Sequence, residues 1–198
     1  MVSTAERATS LTSGRCQAFL SLHATHNLRT QSTKEPKLRI GLFLAYFPWF
    51  QIQEQAELAV LGDELGLDSA WISEAWGYDA VSVMSLVAER TERIAVGSAL
   101  MQIPARQPTA TAMVAATLDQ ISGGRFRLGL GVSGPQVSEG WYGVPFSKPV
   151  TRTREYVEIV RKALERSGPL EYEGEFWSLP TSEGMGLGKP LKLLGKTV

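Results

Sequence analysis

RIAVGSALMQIPARQPTATAMVAATLDQISGGRFRLGLGVS, Arg93 to Ser133, holds two apolar runs of strand length with a helical stretch between them. Arg93–Ile103 is nearly continuous in apolar residues, as in a parallel strand covered on both faces. Pro108 opens a helix over Thr109–Ile121, in an N-terminal position where its missing N–H costs little. Ser122-Gly123-Gly124 stops that helix, and Arg125–Ser133 forms the next strand. Strand, helix and strand at this spacing make a βαβ unit with parallel strands.

The pattern extends in both directions. Leu38–Tyr46 predicts an earlier strand. Ile52–Leu65 then predicts a helix, with Ala56, Ala59, Val60 and Leu65 inward and Gln53, Glu54, Glu57 and Asp63 outward. Gly66 is its stop. LDSAWISEA (67–75) predicts a second strand, and Val81–Arg90 a second helix. After a polar Gly/Pro loop, Thr151–Arg166 predicts a fourth helix. LEYEGEFWSLP (170–180) alternates around Gly174 like a small hairpin, and GKPLKLL (188–194) reads as the approach to a fifth strand.

Four β-α units suit either a doubly wound sheet or an eight-stranded barrel. Neither G-x-G-x-x-G after the first strand nor a phosphate-binding G-x-x-x-x-G-K-[ST] is present. The unusual residues gather instead after each strand, at Tyr46–Trp49, Glu74–Gly77, Ala99–Arg106 and Gly131–Glu139. Barrels build their sites from these carboxyl-end loops, so the expected fold is an α/β TIM-type (β/α)8 barrel. A complete one takes about 250 residues, so four units make an incomplete barrel, its amino-terminal half.

Residues 1–37 differ in composition, being rich in Ser, Thr and basic residues with two acids, Glu6 and Glu35. They read as a disordered or non-homologous extension before a barrel domain over 38–198. Cys16, His23 and His26, the only Cys and His residues, all lie in this segment at a spacing that matches no compact metal motif. The rest therefore cannot make a Cys/His metal site or a His-based triad from its own residues. Lys+Arg and Asp+Glu both number 20, which argues against nucleic-acid and membrane-surface partners. A single cysteine suits a cytoplasmic setting.

SEAWGYDAVS (73–82), ERTERIAVGSALMQIPARQ (89–107), SGGRFRLGLGVSGPQVSEGWYGVPFSKPVTRTREYVEIVRKAL (122–164) and EYEGEFWSLP (171–180) together resemble the luciferase-like monooxygenase superfamily, in particular its coenzyme F420-dependent oxidoreductases. The resemblance runs from about Leu38 to Leu194. It implies a TIM barrel that binds a deazaflavin, or alternatively FMN, at the carboxyl end of the strands. The implied chemistry is hydride transfer to or from a small organic substrate, or oxygen activation when the cofactor is FMN.

On this basis Ala99, Leu100 and Met101 are the expected shelf under the ring, with a non-prolyl cis peptide at Ala99–Leu100. Gly131, Ser133, Gly134, Gln136 and Glu139 are the expected contacts at its edge. Relatives carry an acid where Pro135 or Gln136 stands here. Glu74 is the expected proton-handling residue, since a carboxyl in an apolar pocket serves as general acid or base; relatives follow it with His, here Ala75. Tyr46, Trp49 and Trp76, with Phe47 and Phe50 nearby, suit either a substrate-pocket wall or a plug. Arg106 reads as a phosphate ligand or a loop brace, and Arg125 is expected to pair with acids at the amino end. The resemblance places much of the phosphate grip beyond residue 198. An open half barrel calls for a homo-oligomer or for the missing carboxyl-terminal half. The alternative of another class is a truncated, non-catalytic fragment.

Overall fold

The computed structural model describes residues 38–45, 50–181, 184–186 and 188–198; the expectations for residues 1–37 and for Tyr46, Phe47 and Trp49 lie outside them. Strand β1 (Gly41–Leu44), β2 (Ser69–Ile72), β3 (Ala95–Ser98) and β5 (Phe126–Arg127) pair in that order, all parallel. β4 (Met101–Gln102) and β6 (Leu130–Gly131) continue β3 and β5 and pair with each other. Sequential parallel order without a reversal is that of a barrel wall, and it excludes the switch point of a doubly wound sheet.

One face of this wall is apolar. Leu44, Ala70, Ile72 and Val96 are buried there against helices α1 (Ile52–Glu64) and α2 (Ala80–Arg90). The other face carries Gly41, Phe43, Trp71 and Gly97 at alternate positions, and Phe43 is 58% exposed. Helix α3 (Pro108–Ile121) follows as predicted, with Pro108 at its first turn. Helix α5 (Pro149–Glu165) starts two residues early and buries Tyr156, Ile159, Val160 and Ala163.

Three expectations are corrected. Asp63 does not face outward: it is 7% exposed and its carboxylate accepts the N–H groups of Glu92 (2.8 Å), Arg93 (3.0 Å) and Ile94 (2.6 Å). Leu65 does not face inward and is 72% exposed, because α1 ends before it and Gly66 turns the chain at φ 76°. The loop after the fourth strand contains a short helix, α4 (Pro135–Gly140). The hairpin forms as expected, β7 (Tyr172–Glu173) against β8 (Ser178–Leu179).

The strands expected over 93–103 and 125–133 are each broken, and the break has a geometric origin. Gly97 pairs with Arg127 and Met101 with Leu130. Three residues, 98–100, therefore stand opposite two, 128–129. One extra residue makes a bulge and shifts side-chain parity, so Ile94 and Val96 point to the helices before it and Met101 after it.

Candidate active site at the carboxyl end of the strands

The bulge lies at the carboxyl end of the wall and is stitched on both sides. The Ala99 N–H donates to the Ile72 carbonyl at 2.7 Å, and the Met101 N–H to that of Gly129 at 2.8 Å. The Ser98 hydroxyl donates to the Gly129 carbonyl and accepts the Gly129 N–H, both at 2.8 Å. The Ala99–Leu100 peptide is cis.

Glycines make room for this turn. A Cβ on Gly129 would sit 2.1 Å from the Ser98 carbonyl oxygen, and one on Gly131 would sit 2.1 Å from Leu100 Cδ1. Leu100 thus lies across Gly131 and stays 46% exposed. Two segments that the sequence named separately, Ala99–Met101 and Gly131, form one apolar step. Met101 is not on its surface; it is 1% exposed in the core.

Glu74, just past β2, faces the same corner. Its side chain is only 4% exposed and is surrounded by donors. Arg106 binds it with both arms, Nη2 to Oε1 at 2.5 Å and Nη1 to Oε2 at 2.6 Å. The N–H groups of Ala80 (3.3 Å) and Gln102 (3.0 Å) complete the set. Arg106 also reaches Asp79 at 3.1 Å, while Asp79 caps α2 by accepting the N–H groups of Val81 and Ser82. The carboxylate of Glu74 holds the Arg106 guanidinium above its ordinary value. Burial pushes Asp79 up, but its bonds from Ser82 and Val81 and the charge of Arg106 hold it below the usual carboxylate range. Of the two readings of Arg106, the brace is the one seen.

Arg125 does not pair with acids. Its Nε, Nη1 and Nη2 reach the carbonyls of Ser122 (2.6 Å), Ile94 (2.7 Å), Ala88 (2.9 Å) and Thr91 (2.7 Å), and Nη1 also meets the Thr91 hydroxyl at 3.0 Å. Ala88 and Thr91 lie at the end of α2, Ser122 caps α3 and Ile94 precedes β3, so one planar five-donor group ties three element ends together. Burial lowers its pKa from the ordinary value, partly opposed by the charges of Asp63 and Glu92.

Ser133, in the left-handed region at φ 61°, and Gln136 are exposed beyond β6. Glu139, also exposed, accepts the Phe146 N–H at 2.9 Å and so fastens its own loop. Trp76 is 60% exposed on the β2 loop. A cleft of about 300 Å³ adjoins this corner, lined in part by Arg106, Gln107, Arg152 and Trp177. The Arg152 guanidinium lies 4.1 Å from the Phe176 ring centre. Glu155 sets that aromatic wall by accepting the N–H groups of Glu175 (2.8 Å) and Phe176 (2.9 Å).

The sequence reading missed the Glu74–Arg106 pair and the role of Gln102. A signal existed, since strand ends that neighbour in a barrel bring opposite charges on successive loops to one depth.

Sequential parallel strands with a bulge and an ion pair at their carboxyl ends define part of a (β/α) barrel. The chain belongs to the luciferase-like monooxygenase family, whose model matches residues 18–190 and so reaches back into the segment before Leu38. A Mycobacterium tuberculosis protein provisionally named coenzyme F420-dependent oxidoreductase Rv3520c is 48% identical over 160 residues, covering 80% of this chain and 46% of that protein. The 5,10-methylenetetrahydromethanopterin reductase of Methanopyrus kandleri is 32% identical over 143 residues, covering 65% of this chain and 40% of its own. The solved structure of the coenzyme F420-dependent tetrahydromethanopterin reductase from the same organism matches with a TM-score of 0.64 at 28% identity, over 81% of this chain and 48% of that one. Monooxygenase RslO1 of Streptomyces bottropensis shares the fold, with a TM-score of 0.69 at 24% identity over 81% and 50% of the two chains. The chain spans about half the length of the relatives it matches.

Proposed function

We propose that this chain carries the ring-binding part of a coenzyme F420-dependent oxidoreductase that transfers a hydride between the deazaflavin and a small organic substrate. The observation that carries this reading is the Leu100–Gly131 step. A deazaflavin ring is flat and largely apolar with one polar edge, so it needs an apolar floor and a few polar groups beside it. Leu100 is an exposed apolar surface at the carboxyl end of the wall, raised over a glycine that has no side chain to compete for the space. The residues present therefore fit the ring. Ala99 and Leu100 would floor it, Met101 would anchor the floor from below, and Gly131, Ser133, Gly134 and Gln136 would face its edge. The group itself would supply the hydride.

Arg106, held by Glu74 and Asp79, is not free to grip phosphate, so that grip belongs elsewhere. Trp76 would wall the substrate side. Phe43 and Trp71 line an apolar face that calls for cover, from the other half of the barrel or from a second copy of the chain. A cytoplasmic setting suits a single cysteine.

The test is anaerobic titration with F420 and separately with FMN, followed by oxygen uptake on addition of NADH. Saturable F420 binding without oxygen uptake supports the proposal. Preferential FMN binding with oxygen uptake selects the monooxygenase alternative, and binding of neither leaves a non-catalytic fragment.

A further inference from the structure

We infer that Glu74, Arg106 and Gln102 form one positioning unit that sets the height of the Leu100 shelf, with Glu74 acting as a fixed anion and not as a proton donor. This revises the role expected for Glu74 and rests on the ring-site reading above.

The Glu74 oxygens accept from Arg106 Nη1 and Nη2 and from the N–H groups of Ala80 and Gln102. Each oxygen thus accepts two donors, and a proton on either would have to displace one of them. The side chain is 4% exposed and that of Arg106 18%, so solvent does little to loosen the pair.

Gln102 is two residues beyond Leu100 and is itself 5% exposed. Its main-chain N–H binds Glu74 Oε2, and its Nε2 donates to the carbonyls of Glu74 and Ala75, both at 3.1 Å. The near end of the bulge is fixed independently, by Ser98 on Gly129. Leu100 thus sits between the Ala99 and Met101 amides, held by Ile72 and Gly129, and beyond them Gln102 ties the same strand to the β2 loop. Moving the Glu74 carboxylate frees the Gln102 main-chain N–H, two residues from Leu100, and lets the shelf shift through that strand. Arg106 extends the unit to Asp79 at the start of α2, so the β2 and β3 loops and that helix share one reference point.

The experiment uses the full chain and, as probe, a deazaflavin nucleoside with ring and ribityl chain but no phosphate, so that only the ring site is read. Absorbance titrations compare wild type with Glu74→Gln, with Arg106→Lys, which keeps the charge but loses the fork, and with Glu74→Gln/Arg106→Gln. Both single changes are expected to weaken nucleoside binding at least tenfold and to move the absorption band of the bound ring. The double variant should be no worse than the weaker single, as members of one unit are not additive. Should Glu74→Gln not fold, Gln102→Met leaves no buried charge unpaired and is expected to weaken binding in the same way. Wild-type affinity and band position in folded Arg106→Lys would overturn the proposal, leaving the pair a stabilising contact alone. Loss on Glu74→Gln with none on Arg106→Lys or Gln102→Met would overturn it in favour of a direct role for Glu74. If wild type binds no nucleoside, the ring-site reading falls and takes this inference with it.

Discussion

Asp63 carries three backbone N–H groups on one carboxylate in a loop that no helix or sheet satisfies. Burial pushes its carboxyl up, but the bonds from Glu92, Ile94 and Arg93 outweigh this and hold it below its ordinary value of 3.8. A depressed acid stabilises the fold above its unfolded value and loses that contribution as pH falls through the folded value. Asp63→Asn is therefore expected to cost about 2–3 kcal/mol at pH 7, with the gap to wild type closing below pH 3.8. Urea unfolding at pH 7 and below pH 3.8 measures this; a pH-independent gap would contradict it. The sequence placed Asp63 outward because charged residues usually are, and no helical periodicity predicts a loop 29 residues away that lacks partners. Gly131 was legible as a close approach but not its neighbour. Gly131→Ala is expected to displace Leu100, to destabilise by about 1–3 kcal/mol and to weaken ring binding. Thermal unfolding and a deazaflavin titration check both.

At the scale of elements, the helices were readable because periodicity and caps agree, as at Pro108 and Gly66. The third strand was readable as a strand but not as a broken one. Its clue was a change of parity between Val96 and Met101, which a nearly continuous apolar run hides. Arg125 joins α2, the loop to β3 and β5 by capping carbonyls, a role invisible to charge pairing. Arg125→Met is expected to leave those carbonyls unpaired and to cost about 3 kcal/mol, read from denaturant midpoints. Helices α3 and α5 are joined by Thr111 Oγ1 and Tyr156 OH at 2.5 Å, both fully buried. Tyr156→Phe is expected to cost about 1–3 kcal/mol, and Tyr156→Phe/Thr111→Val less, since the pair then leaves no polar atom stranded. A double variant that costs as much as Tyr156→Phe or more would contradict that assignment.

For the whole molecule, the barrel was legible from the order of units and from where the odd residues fell. The sheet order β1-β2-β3-β5 and the strand-end site agree with it. The ion pair was legible only through the barrel, because Glu74 and Arg106 are 32 residues apart and meet once adjacent strands set their loops at one height. On the proposed function Leu100, lifted over Gly131, is the floor of a ring site that this chain holds by itself. Absorbance titration with the phosphate-free deazaflavin nucleoside, on wild type and on Leu100→Asp, tests it most directly. The account predicts saturable binding with a Kd on the order of 10 μM, about −7 kcal/mol, and at least tenfold weakening by Leu100→Asp. No saturable change with wild type, or equal binding by folded Leu100→Asp, would contradict it.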